Sequence, residues 1–255
     1  MIGRKTVIGL TMLCALLVSA FAAQAASAES TTAYTCSSAA STKDFTEEHC
    51  KTKSGGAGNF GHVAIEAGKT TEIIGSDKNL AGERTGAILK STVAGSAIEL
   101  VASEVNGTGT MSNSLSGSEM VASGEGKITY SGVTEKLLGC KVTGLPGGVG
   151  TVQTKQLAAS TQGLAKKLKF TPKEGTVFAE FELTECIVGP VTIKVIGSVI
   201  GNPEGATTTT VHNTVTTEKT LRLQSAAGPI AGIAGFLTIS GRSGGAGAYT
   251  PLSVT

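Results

Sequence analysis

The residues of this 255-residue chain that could do acid–base or metal chemistry are few: three histidines, two aspartates and a scatter of glutamates. His49, His62 and His212 show no i, i+2 or i, i+4 spacing, so neither a zinc site nor a His-based triad is written locally. Asp44 and Asp77 are the only aspartates, which removes D-x-D calcium loops. Glu180 and Glu182 come nearest to a carboxylate pair of the glycosidase kind. Their i, i+2 spacing puts both on one face of a strand, and a solvated face opposite Lys167 and Lys169 accounts for them without catalysis.

Three short motifs imitate functional signatures. Gly56-Ala-Gly58-Asn-Phe-Gly61 has the letters of a dinucleotide fingerprint, but that chemistry needs a strand before it and a helix after it. Here Val63-Ala64-Ile65 follows, which reads as strand. Gly68-Lys69-Thr70 imitates the end of a P-loop, yet Val63 stands where the first glycine belongs. Gly241-Arg-Ser243-Gly-Gly245 matches the nucleophile elbow, whose acid and histidine should follow it; Ala246–Thr255 contain neither. Trp is absent and Tyr34, Tyr130 and Tyr249 are scattered, a poor supply of aromatic platforms for carbohydrate. The sequon Asn106-Gly-Thr108 is too common by chance to carry weight. No catalytic, cofactor-binding or metal residue is assigned, and no cofactor is expected.

The elements that would position any site begin after an export signal. Arg4 and Lys5 precede an apolar run from Val7 to Ala23, and small residues follow with A-x-A sites at Ala23–Ala25 and Ala26–Ala28. The run is at the short end of the roughly 20 residues a spanning helix needs, so residues 1–28 read as a cleavable signal peptide. Cys14 lies inside the apolar region and leaves with it. Without Arg4 and Lys5, 19 basic residues of the original 21 face 19 acidic ones. A neutral chain with no basic cluster offers no footprint for nucleic acid or anionic lipid.

Cys36, Cys50, Cys140 and Cys186 remain. An even number in an exported chain reads as two disulfides; of three connectivities, pairing sequence neighbours favours Cys36–Cys50 and Cys140–Cys186. A zinc site would need C-x-x-C or His spacing, which none of the four has.

Residues 29–62 read as a disulfide-closed N-terminal segment and 63–255 as an antiparallel β domain. Short alternating runs punctuated by glycine extend through the latter, roughly a dozen strand candidates in all. They are Thr70–Ile74, Ala87–Val93, Ala97–Val105, Thr108–Ser112, Lys127–Ser131, Lys141–Leu145, Thr151–Leu157, Val191–Ile200, Thr207–Thr216, Lys219–Gln224 and Phe236–Ser240, with a central pair. In that pair, Ala165–Thr171 turns Leu168 and Phe170 inward and Lys167 and Lys169 outward. Thr176–Thr184 turns Val177, Ala179, Phe181 and Leu183 inward and Glu180 and Glu182 outward, which predicts a hairpin through Pro172–Gly175. No helical period is sustained. The expectation is an all-β fold: a large antiparallel β-sandwich or a flattened, partly closed β-barrel. The small apolar stretch Ala226–Gly235 reads as a buried loop.

Four stretches resemble a group of uncharacterised secreted proteins that occur as many paralogues in soil actinobacteria. They are Asp44-Phe-Thr-Glu-Glu-His-Cys50, Phe60-Gly-His62, Lys169-Phe-Thr-Pro-Lys-Glu-Gly175 and the ending from Ser240 to Thr255. The resemblance implies export and supplies no activity and no site residues. Members of that group often carry an additional cysteine pair; this chain has Ala102 and Val133 near where it would fall, so that staple is missing by the resemblance. The resulting expectation is a secreted or cell-surface, non-catalytic binding or structural β domain. Its partner would be an unknown extracellular or cell-envelope component, with no membrane span in the mature chain. The alternative is a secreted glutamate-dependent hydrolase.

Overall fold

The computed structural model describes residues 32–254 except 80, 94, 162–166, 187–188, 204, 206–207, 213–221, 224–231 and 244–247. The signal segment, Ala165 and Lys166, residues 226–231, 244–247 and the ends of the candidates at 207–216 and 219–224 lie outside the described residues, as does the His212 side chain.

All regular structure among the described residues is strand. In chain order the strands are β1 (Ala33–Ser37), β2 (Gly61–Ala64), β3 (Thr70–Ser76), β4 (Ala87–Val93), β5 (Ser96–Ala102), β6 (Glu104–Ser116) and β7 (Glu119–Ser131). Next come β8 (Thr134–Glu135), β9 (Lys141–Gly144), β10 (Gly148–Val149), β11 (Thr151–Gln153), β12 (Leu157–Ser160), β13 (Leu168–Pro172) and β14 (Val177–Thr184). The last are β15 (Val191–Ile196), β16 (Val199–Pro203), β17 (Thr208–His212), β18 (Arg222–Leu223), β19 (Gly232–Ser243) and β20 (Thr250–Val254). Every pairing between strands is antiparallel, and the all-β expectation holds.

The strands form two sheets. The larger runs β17-β16-β13-β12-β7-β6-β3-β19-β20-β1-β2 and curls into a half-barrel. β17 also pairs with β19, which links the far end of this path back to its middle. A branch β4-β5-β8 leaves the large sheet at β19. The smaller sheet is β10-β9-β14-β15-β18.

Glycine placement explains the curl. Opposed residues share a face, and on the inner face of the large sheet glycine repeatedly opposes a large side chain. The pairs are Ile73 with Gly109, Met111 with Gly124, Ile128 with Gly107, Leu157 with Gly126, and Ile239 with Gly75. Alternating large and small residues is how a tapered barrel interior fills. At Gly109, Gly124 and Gly126 a Cβ would stand 2.2, 2.3 and 2.4 Å from a carbonyl oxygen of the neighbouring strand, so only glycine permits the approach.

A buried polar side chain fastens one end of the sheet to its middle. The Asn113 side chain donates to the Ala33 and Ile65 carbonyls at 2.9 and 2.7 Å and accepts from the Ala33 N–H at 2.8 Å. It thereby ties β1, and the cysteine-closed segment that follows, to β6. Both expected disulfides are present, Cys36–Cys50 and Cys140–Cys186.

One local expectation fails. Thr176–Thr184 and the end of Ala165–Thr171 are strands, but they do not pair across Pro172–Gly175. β13 lies between β12 and β16 in the large sheet, whereas β14 lies between β9 and β15 in the small one. Burial decides this: Leu168 and Phe170 fill the half-barrel while Phe181 and Leu183 fill the space between sheets. Complementary surface lysines and glutamates are worth too little to choose a partner. Glu180 instead opposes Lys194, and Lys173 pairs with Glu125.

Candidate functional site

The two sheets meet where Thr154, just past β11 (a strand of the larger sheet that pairs with β7), bridges to Ala179 of β14. Between them an apolar cleft of about 60 Å³ remains. Ala87, Ile88, Leu89, Leu100 and Ala102 form one wall, from β4 and β5. Phe178, Ala179, Phe181 and Val195 form the other, from β14 and β15, and Tyr130, Val133 and Val152 close the base. At the mouth Ile88 is 37% exposed.

A β-bulge builds the second wall. The register of β14 against β15 shifts between Val177 and Ala179, so Phe178 and Ala179 are both buried although adjacent. Strict alternation had sent Val177 inward and Phe178 outward; the structure leaves Val177 half-buried and turns Phe178 into the cleft. On the first wall, the β5–β8 register (Leu100 opposite Glu135, Val101 opposite Thr134) brings Ala102 level with Val133. Ala102 and Val133 both line the cleft.

Tyr130 carries the only side-chain polar group among the lining residues. Burial pushes its phenol up to about 12, so it is a neutral donor at physiological pH. Burial alone accounts for that shift, and no hydrogen bond to a described residue contributes to it.

The residues singled out for chemistry do structural work elsewhere. Glu180 stands between Lys155 and Lys194, its carboxylate oxygens 3.6 and 3.7 Å from their amines. Neither Glu180 nor Glu182 lines the cleft. Asp77, fully buried, accepts from Arg84 Nη1 at 2.6 Å and from the Gly86 N–H at 2.8 Å. Arg84 passes on to Glu104 at 2.5 Å, and Glu104 accepts from the Asn106 amide at 2.8 Å. The sequon asparagine is thus engaged in a network that fastens the loop between β3 and β4.

Glu135 accepts from the N–H groups of Glu99, Leu137, Leu138 and Cys140. Burial pushes its carboxyl up, but the four donors outweigh burial and hold it below the usual carboxylate range. Glu47 is similar: burial opposes ionisation, and the N–H groups of Thr52, Lys51 and His49 more than offset it.

His62 stacks on Tyr34 (ring centroids 3.8 Å) and Phe45 (4.7 Å), beside Cys36–Cys50. Burial chiefly lowers its pKa, Lys53 adds to that, and Asp44 opposes it. Asp44–Cys50 and Phe60–His62, two stretches that carry the family resemblance, meet in this small aromatic cluster, whose buried core includes Phe45 and Cys50.

The imitation motifs resolve as close packing. Cβ atoms at Gly58 and Gly61 would strike the backbone at Phe45 and Thr42, and strand β2 begins where a dinucleotide motif needs a helix. Gly241 is an interior strand residue paired with Ile73, not a strand-to-helix elbow. Among the described residues no group of His, Cys, Asp and Glu converges as metal ligands do. No described helix is long and apolar enough to cross a membrane.

Comparison with known proteins finds no matching family model, no matching curated protein and no matching solved structure.

Sequence reasoning missed the cleft and the anchors Asn113, Asp77 and Glu135. Only Asp77 left a signal, as one of just two aspartates in a chain that otherwise avoids them.

Proposed function

We propose that this chain is a secreted or cell-surface β domain that acts by binding rather than catalysis, with the cleft between its sheets as the binding surface. One contrast carries the reading. The described carboxylates best placed for chemistry are engaged by lysines, an arginine or backbone N–H groups, whereas the cleft is an open apolar hollow lined by side chains with space between them. Open apolar pockets with one or two polar groups are the usual form of small-ligand sites. Export is supported by the N-terminal pattern and by two disulfides, which persist in oxidising compartments. The hydrolase alternative loses its motivation, because Glu180 is held between two lysines and faces no cavity.

Fractionation of the producing cell, with thiol labelling before and after reduction, tests this reading. The protein is expected in the medium or envelope with Cys36, Cys50, Cys140 and Cys186 protected until reduced. Full-length protein retained in the cytoplasm with five free thiols, Cys14 included, would overturn it. Affinity capture from envelope and medium, run beside a variant whose cleft is filled by Ala102→Leu, should lose a specific ligand in the variant alone.

A further inference from the structure

We infer that the cleft receives a small, uncharged aliphatic molecule bearing one hydrogen-bond acceptor, such as a ketone, ester or lactone, with the acceptor on Tyr130. This rests on the cleft being the binding surface.

Size sets the first limit. An engineered cavity of about 150 Å³ holds benzene, so about 60 Å³ encloses roughly two or three heavy atoms. The rest of such a molecule would lie across the mouth against Ile88. A steroid or a full acyl chain does not fit within the walls.

Charge sets the second limit. Among the described residues no ionisable carboxylate, amine or imidazole lines the cleft, so an ionised ligand would lose its hydration with no compensating partner there. That disfavours amino acids, sugar acids and phosphates.

Hydrogen bonding sets the third. Tyr130 is the one polar side chain in the lining and its hydroxyl has no acceptor among the described residues. A ligand that supplies an acceptor replaces the water such a half-buried hydroxyl would otherwise hold, whereas one without an acceptor strips that water and gives nothing back. A pure hydrocarbon would enter, but less favourably.

Nuclear magnetic resonance titration of the full secreted protein with 2-butanone, butyrate and xenon tests this directly. 2-Butanone should shift the methyl signals of Ala87, Leu100, Ala102, Val133 and Val152 selectively, with butyrate at least tenfold weaker. Tyr130→Phe keeps the ring and deletes only the hydroxyl; it should weaken 2-butanone roughly two- to tenfold and leave xenon unchanged. Ala102→Leu should abolish all binding, and Ala87→Leu, nearer the mouth, does the same if the first variant folds poorly. Xenon binding without preference for 2-butanone, or equal ketone affinity in Tyr130→Phe, would overturn the ligand class while leaving the cleft as a site. Failure of both 2-butanone and xenon to reach the cleft methyls would overturn the cleft itself.

Discussion

The half-barrel interior and the space between the two sheets are both apolar and all-β, yet they are packed on opposite plans. In the half-barrel, backbones approach until there is room only for glycine opposite Ile73, Met111 or Leu157. Between the sheets, large side chains of the smaller sheet (Phe181, Leu183, Ile193, Leu223) are buried against the larger one, and the cleft is what they leave. A curled sheet closes on itself through backbone hydrogen bonds, so its interior width follows strand geometry. Two stacked sheets lie about 10 Å apart and are held by side chains alone, so an imperfect fit leaves space. A smaller hollow of about 40 Å³ remains inside the half-barrel too, lined by Ile73, Gly75, Gly107, Met111, Gly126 and Leu157, so the roomier of the two lies where packing, not hydrogen bonding, sets the distance.

Phe181→Ala attacks the intersheet plan most directly. The ring is 2% exposed and forms part of the cleft wall, so its loss should cost about 3–5 kcal/mol in urea unfolding. It should also widen the cleft enough to admit benzene. Unchanged stability would mean that the sheets collapse to close the gap.

The disulfides separate the regions in another way. Cys140–Cys186 spans 46 residues and clips the small sheet, whereas Cys36–Cys50 spans 14 and clips only the N-terminal loop. On the chain-entropy model their removal by paired Cys→Ala should cost about 4 and about 3 kcal/mol respectively. Thermal midpoints in the reverse order would show that the N-terminal aromatic cluster depends on its staple for more than chain entropy.

Gly126→Ala tests the half-barrel plan. The added methyl would sit 2.4 Å from the Thr108 carbonyl oxygen, so the β6–β7 pair must shift, at about 1–3 kcal/mol. A neutral result would show that the strands have slack there.

The smallest effects are read against pH. His62 has its pKa held below the ordinary 6.5, so its contribution is complete above about pH 6.5 and declines as pH falls below that. His62→Phe should remove this first decline. Glu135, held below 4.5, contributes fully above about pH 4.5 and loses that contribution as pH falls through its lowered pKa. Glu135→Gln turns an amide donor toward backbone donors and should cost about 2 kcal/mol at pH 7, a deficit that shrinks in acid as the wild type loses the same charge. A deficit constant with pH would mean that shape, not charge, holds the β8–β9 loop.

Much of the strand content was legible because alternation is a local signal. Ala87–Val93 is β4 to the residue, and Phe181 and Leu183 were assigned inward correctly. Pairing was not legible: the expected partner of Thr176–Thr184 was its neighbour in sequence, and the true partners are β9 and β15. The bulge that buries Phe178 was invisible too, since one extra residue in a ladder leaves no mark on composition.

What the residues determined by themselves is the class of structure: strands from β-formers and glycine turns, and two staples joining neighbours in sequence. The export pattern, still an expectation, was also read from the chain alone. What only the tertiary structure decided is which sheet each strand joins, and therefore where the cleft lies. Ala102, Tyr130, Val133, Phe178 and Val195 are distant along the chain and ordinary in type. They form one site because β4 and β5 of the larger sheet come to face β14 and β15 of the smaller one, a meeting set by long-range packing rather than by any local run of residues.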